Sequence, residues 1–387
     1  MYHMIPLSVP NFEGNEQKYV QDAVGQGWVS TGGAYVDKLE SVISSYSGSV
    51  GAVACQSGTA ALHMALVECG VGMDDIVLVP TLTFIAAVNP VRYQMATPIF
   101  IDCDDSLCMD VDKLRRFCEE ECRMEDGILF YCATNQAVKA VIVVHVFGNM
   151  ADMESIMSIA ATYHLRVIED ATEALGTKCE YGRYEGKMAG TIGDFGAFSF
   201  NGNKIITTGG GGMIVSQNTR ALKHLKYMST QCKDDPHFYI HDEVGFNYRM
   251  TNVQAAIGVA QMEELEEFIG RKNRNYEYYH ELLDGCEKGY LLSFREHTRS
   301  NKWFYSFVLN RDICRQNIRT YIDQLQEQGI QTRPIWGLIH EQKPYLNYKA
   351  YEIDKAKYYS ERIINLPCST NLTHEEIKTV CDALKGL

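Results

Sequence analysis

Five short apolar runs, each followed by a polar break and then a helical pattern, restrict this chain more than any other feature. GAVAC (51–55), IVLVP (76–80), TPIFIDCD (97–104), KAVIVVHVFG (139–148) and LRVIEDAT (165–172) have the length and continuous hydrophobicity of strands buried on both faces. AALHMALVECG (60–70) reads as a helix ending at Gly70, TFIAAVNPVRYQ (83–94) as a second, and ADMESIMSIAATYH (151–164) carries its apolar residues at helical spacing. Repeated β-α units of this kind predict an α/β fold with a largely parallel sheet between two layers of helices. From about residue 251 the pattern changes to a long helical stretch, NVQAAIGVAQMEELEEFIGRKNRNYEYYHELL, then an isolated strand, WFYSFVLN, and further amphipathic helices. A chain of 387 residues exceeds what one core usually serves. It is expected to divide into a large α/β domain over residues 1–250, with an N-terminal segment, and a linking helix plus smaller α+β domain over 251–387.

The formal net charge of −13 argues against a nucleic-acid or anionic-membrane partner. Thirteen cysteines suggest disulfides, but the count is odd and MYHMIPLSVP has neither the basic start nor the apolar run of a signal peptide. The Cys118/Cys122 spacing lacks a nearby histidine or second cysteine pair to complete a zinc site, so no metal is expected. A reduced, cytoplasmic protein is the expectation. No apolar segment reaches the roughly 18 to 20 residues that a membrane helix needs, and the sequon at Asn371 reads as a loop leading into a helix.

In parallel sheets ligands collect at the carboxyl ends of strands. That rule selects Ser57, Gly58 and Thr59 after GAVAC, His145 after VIVV, and Asp170 at the end of RVIED. Two nucleotide fingerprints fail. GQGWVS (25–30) follows a helical stretch and ends in Ser30, and GKM (186–188) lacks the upstream glycine and the Ser/Thr of a P-loop. Ser57-Gly58-Thr59 at a helix start suits a phosphate, although an ordinary helix cap uses the same residues. Asp170 is either a cap or the partner of a buried cation, and the pyridine nitrogen of pyridoxal phosphate is such a cation. Lys204, between FSF and four glycines, is then placed to reach the cofactor aldehyde, with Ser199 offering a further hydroxyl to the phosphate. The glycines are expected to let cofactor and substrate approach the backbone. Phe84 is either a ring-stacking aromatic or a core residue.

Over nearly its whole length the chain resembles the DegT/DnrJ/EryC1/StrS family of pyridoxal-phosphate sugar aminotransferases. GWVSTGGAYVDKLE, QSGTAALHMAL, PTLTFIAAVNP, VIEDATEALG, GDFGAFSFNGNKIITTGGGGM, EVGFNYRMTNVQAAIG, TRPIWGLIH and NLPCSTNLT carry the likeness. The resemblance implies the type I pyridoxal-phosphate transferase (aspartate aminotransferase-like) fold, with Lys204 as the Schiff-base lysine and Asp170 as the pyridinium partner. It places Phe84 on the cofactor ring and Gly58, Thr59 and Ser199 on its phosphate. Asn247 matches an asparagine that reaches the phosphate from the neighbouring subunit, which implies a homodimer with shared active sites. Arg249 and His340 fall in segments that face the sugar nucleotide. Many members have glutamine three residues after the aspartate, where this chain has Glu173, and that puts the contact to the cofactor's ring hydroxyl in doubt.

RFCEEECRMEDGILFYCATNQAVKAVIVVHVFG, with an extra segment before the strand, and TQCKDDPHFYIHDEVGFNYRMTN look most like the branch that aminates C4 of nucleotide-linked 4-keto-6-deoxy sugars, some of which lead to legionaminic acid or bacillosamine. The implied reaction moves the amino group of L-glutamate to C4 of such a sugar, UDP-linked and 2-acetamido-bearing, with Arg249 or Arg333 available to the nucleotide. The rivals are a cofactor-dependent sugar dehydratase, against which Lys204 argues because those relatives carry histidine there, and a non-catalytic regulatory homologue.

Overall fold

The apolar runs assemble into one ten-stranded sheet, at whose strand ends the candidate residues gather. The structure, a computed structural model, describes residues 4–235, 237–310 and 315–387. Along the main path the strands lie in the order Gly51–Cys55, Gly212–Ser216, Phe195–Ser199, Arg166–Asp170, Gln136–Val144, Ile76–Pro80, Thr97–Ile101 and Ala350–Tyr351. From Phe195–Ser199 to Ala350–Tyr351 all pairings are parallel, and Gly212–Ser216 runs antiparallel to both its neighbours. Every residue of Ile76–Pro80 is buried, as a strand covered on both faces requires.

The extra segment before KAVIVVHV folds as a hairpin. Cys122–Glu125 pairs with Ile128–Tyr131 across a two-residue Asp126-Gly127 turn in which both residues have positive φ, the arrangement that matches the twist of the flanking strands. Ile128–Tyr131 in turn pairs with Gln136–Val144 and extends the sheet. TFIAAVNPVRYQ is not one helix. It splits into a 3-10 turn, Ile85–Ala87, and a short helix, Asn89–Tyr93, with Pro90 in its first turn. Proline has no N–H to bond back to an earlier turn, so it starts a helix rather than continuing one. Phe84 is left in extended conformation at the head of the turn.

The helix Asn252–Leu283 has 32 residues and spans ~48 Å. A capping box of Thr251 and Gln254 opens it, and it packs against the helices Glu16–Gly25 and Ala34–Ser47. Beyond it lies a four-stranded antiparallel sheet in the order Gly289–Leu291, Tyr305–Leu309, Ile363–Leu366, Arg333–Pro334. WFYSFVLN is therefore not isolated. Its Tyr305–Leu309 part is paired on both sides, and Trp303 and Phe304 precede the strand. Two stretches cross the expected division at residue 251. Ala350–Tyr351 forms the edge of the large sheet, and the N-terminal segment bonds to the C-terminal part, Ile5 N–H to the Gly329 carbonyl at 2.8 Å and Cys368 N–H to that of Leu7 at 2.8 Å. Among the described residues no helix is long and apolar enough to cross a membrane.

Candidate active site

A cleft of about 370 Å³ opens where the parallel strands end, within the usual range for small-molecule sites. Gly58, Thr59, Phe84, Asp170, Glu173, Ser199 and Lys204, from five separate segments, all line it. The helix Gly58–Glu68 starts at its wall. Ser57 caps that helix by accepting from Ala60 N–H at 3.1 Å, while the first-turn N–H groups of Gly58 and Thr59 have no partner within the helix. Packing around this cup is tight. A Cβ on Gly58 would stand 2.8 Å from Thr172 Cγ2 and 3.0 Å from Ser199 Cβ. The loop from residue 200 to 211 is closed at its base by Phe200 N–H to the Gly211 carbonyl at 3.0 Å, and Lys204 sits on it, its own N–H on the Asn201 carbonyl.

Of the four glycines after Lys204, two serve a different end from the one expected. A Cβ on Gly211, where φ is +130°, would meet Thr208 Oγ1 at 2.6 Å, and one on Gly212 would meet the Ser57 carbonyl carbon at 2.4 Å. Gly212 lets the returning strand close on the helix start, Gly211 makes room for the Thr208 and Met250 side chains, and Gly210 and Gly211 line the cleft. Phe84 is 55% exposed and lines the cleft, so it is not a core residue of this chain.

Two buried carboxyls face the lysine. Asp170 is 4% exposed, and its Oδ1 accepts from Thr172 N–H at 3.1 Å. Burial raises its carboxyl above the ordinary aspartate value, against the opposing pull of Thr172, Lys204 and His145. Glu173 accepts from Phe147 N–H through Oε2 at 2.8 Å, and its Oε1 lies 3.5 Å from Lys204 Nζ. Burial pushes its carboxyl up to about 7, with Lys204 and the Phe147 N–H acting in the other direction. His145, also at a strand end, does not line the cleft. Its Nδ1 accepts from Ala151 N–H at 3.2 Å, so Nε2 holds the hydrogen and donates to Glu169 at 2.8 Å.

One wall is formed by residues that the sequence reading did not select. Trp303, Phe304 and Trp336 close the cleft from the side of the smaller sheet. The ammonium of Lys204 stands 4.0 Å from the centre of the Trp303 ring. These residues lie about a hundred or more positions beyond Lys204, and the available signal was two aromatics, WF, immediately before a strand.

A model of the DegT/DnrJ/EryC1/StrS aminotransferase family matches residues 10–385, almost the full chain. The chain belongs to this family. It is 35% identical to the GDP-perosamine synthase of Caulobacter vibrioides over 98% of its own length and 97% of that protein's. It is 31% identical to a UDP-N-acetyl-3-dehydro-alpha-D-glucosamine 3-aminotransferase of Acidithiobacillus ferrooxidans, over 90% and 87% of the two. Its fold matches that of a DegT/DnrJ/EryC1/StrS aminotransferase from Brucella abortus with a TM-score of 0.86 at 26% identity, covering 96% and 95% of the chains. It is thus a pyridoxal-phosphate-dependent sugar aminotransferase with the expected type I transferase architecture.

The cleft of this DegT-family chain has the donor set that the cofactor requires. The helix start, with the Ser57, Thr59 and Ser199 hydroxyls around it, suits a phosphate. The buried Asp170 carboxylate suits a protonated ring nitrogen, and Lys204 offers a primary amine between them. Three residues that the family likeness selected lie elsewhere in the single chain. Asn247 is exposed on the segment that follows Thr230, and the half-buried Arg249 has an Nε shielded from solvent with no hydrogen-bond partner among the described residues. His340 holds the Thr81 hydroxyl at 2.6 Å through Nδ1 and does not line the cleft.

Proposed function

We propose that this enzyme moves the amino group of L-glutamate to C4 of a nucleotide-linked 4-keto-6-deoxy sugar, with Lys204 as the residue that bonds the cofactor and carries the proton. The observation that supports it most is the placement of Lys204 Nζ beside two buried carboxyls in a cleft that a helix N-terminus faces. When bound, pyridoxal phosphate supplies an aldehyde for amine exchange and an electron sink for the carbon that loses its proton. Asp170 would hold a proton at the ring nitrogen, Gly58, Thr59 and Ser199 would hold the phosphate, and Phe84 would cover the ring face. Lys204, as a free amine, would move the proton between the substrate carbon and the cofactor carbon in each half-reaction. Glu173 Oε1, 3.5 Å from Nζ, would orient the lysine for that transfer.

We further propose a homodimer in which Asn247 and Arg249 of each chain complete the partner's site. Arg249 Nε, without a hydrogen-bond partner among the described residues, and the exposed Asn247 support this. The extra hairpin segment supports a UDP-linked 2-acetamido sugar of the legionaminic-acid type. The named relatives include both GDP- and UDP-linked chemistries.

Glutamate added to the pyridoxal-phosphate-loaded enzyme should bleach the visible band and raise that of the pyridoxamine form. A UDP-2-acetamido-4-keto-6-deoxy sugar should restore the visible band and yield a product whose NMR spectrum places nitrogen on C4. Amination at C3, or restoration by GDP-linked sugars alone, would overturn the finer assignment. A visible band unmoved by glutamate would overturn the donor.

A further inference from the structure

Lys204 rests against an indole that is fixed on every side. Trp303 is 3% exposed, and its ring centre lies 4.0 Å from Lys204 Nζ. Its backbone N–H donates to Asn301 Oδ1 at 3.0 Å, and its carbonyl accepts from the buried Lys272 ammonium at 2.9 Å. The indole Nε1–H donates to the carbonyl of Asn203 at 2.7 Å, one residue before the lysine itself. The ring is therefore registered to the loop that carries Lys204, although it belongs to the chain segment entering the smaller sheet. Asn301 and Lys272 are committed elsewhere at the same time, to the carbonyls of Glu173 and Leu175 and to that of Cys368.

A cation over the face of an indole is held by the ring quadrupole, the more so where water is excluded. The charged groups facing Lys204 are Glu173 and Asp170, both on the stretch that ends the Arg166–Asp170 strand and follows it. They pull the ammonium toward one side of the cleft. Trp303 supplies a second seat, with no charge to neutralise the lysine.

We infer that Trp303 is a positioning residue for Lys204, an aromatic seat that holds the ammonium between cofactor bonding events and couples the smaller sheet to the lysine's loop. This rests on Lys204 being the cofactor-bonding residue. It does not require the sugar assignment.

The test uses the apo-protein first. In a Trp28→Phe/Trp336→Phe chain Trp303 is the sole indole, and Lys204→Met should brighten its emission, because an ammonium on the ring quenches it. Unchanged emission would overturn the seat without needing any Trp303 variant to fold. The second readout is the rate at which apo-protein takes up pyridoxal phosphate into its visible band. Trp303→Leu should slow it by about tenfold, because Nζ is no longer held in one place on the cleft wall. Trp303→Phe, which keeps a ring face and loses only the indole N–H, should recover most of the rate. Equal rates in Leu and Phe variants would contradict the proposal. A wild-type protein that never forms the band would instead refute the role of Lys204.

Discussion

Glu173 is the residue where burial changes chemistry most. Its carboxyl, ordinarily near 4.5, is raised to about 7, because desolvation outweighs the help of Lys204 and the Phe147 N–H. A raised acid means that the folded chain keeps a proton which the unfolded chain releases. Its contribution to stability should therefore fall as pH rises from about 4.5 to about 7 and then level off. Glu173→Gln keeps an acceptor for Phe147 N–H and removes the titration. Measured by chemical denaturation of the apo-protein, the variant should gain on the wild type with rising pH across that window, by up to ~3 kcal/mol. Parallel stability curves from pH 5 to 8 would mean that Glu173 titrates normally. Little of this was legible in sequence. Glu173 was found there as a departure from a pattern, and its proximity to Lys204 and the Phe147 N–H depends on a fold that joins residues 147, 173 and 204.

At the scale of elements, the strands were the legible part. Continuous apolar runs such as IVLVP need no context, because a strand buried on both faces has no polar side to show. The residues at their ends, Asp170 and Ser57-Gly58-Thr59, followed from where parallel sheets bind ligands. What failed was local. Pro90 divided an apparently single helix, and the Asp126-Gly127 hairpin was noticed as extra sequence without a shape. The aromatic wall was missed for a different reason. Trp303 and Trp336 have no periodic relation to Lys204, and only the docking of the smaller sheet brings them to the cleft. The glycine run suggests space for a ligand, whereas Gly212 gives that space to the protein's own backbone at Ser57 and Gly58.

For the whole molecule, the uncovered apolar surface is the unresolved load. Phe238, Tyr239 and Val244 are 78%, 72% and 89% exposed, on the stretch that leads to Asn247 and Arg249, and Trp28 is 60% exposed. Clustered apolar side chains of this size normally meet a partner. If a second copy covers them, the wild type sediments as a dimer at micromolar concentration. Val244→Asp should then release monomers, with cofactor affinity reduced together with dimer content because Asn247 no longer reaches a partner's cup. A wild-type monomer that binds pyridoxal phosphate and turns over would remove the shared-site proposal. The cleft of one chain would then have to hold the cofactor alone.

If Lys204 bonds the cofactor, chemical capture will mark it. Loaded enzyme is reduced with borohydride, digested and mapped by mass spectrometry. A pyridoxyl group is expected on Lys204, and it should disappear in Lys204→Ala, with the variant still folded. A pyridoxyl group on another lysine, or a loaded wild type that carries none, would contradict the role of Lys204.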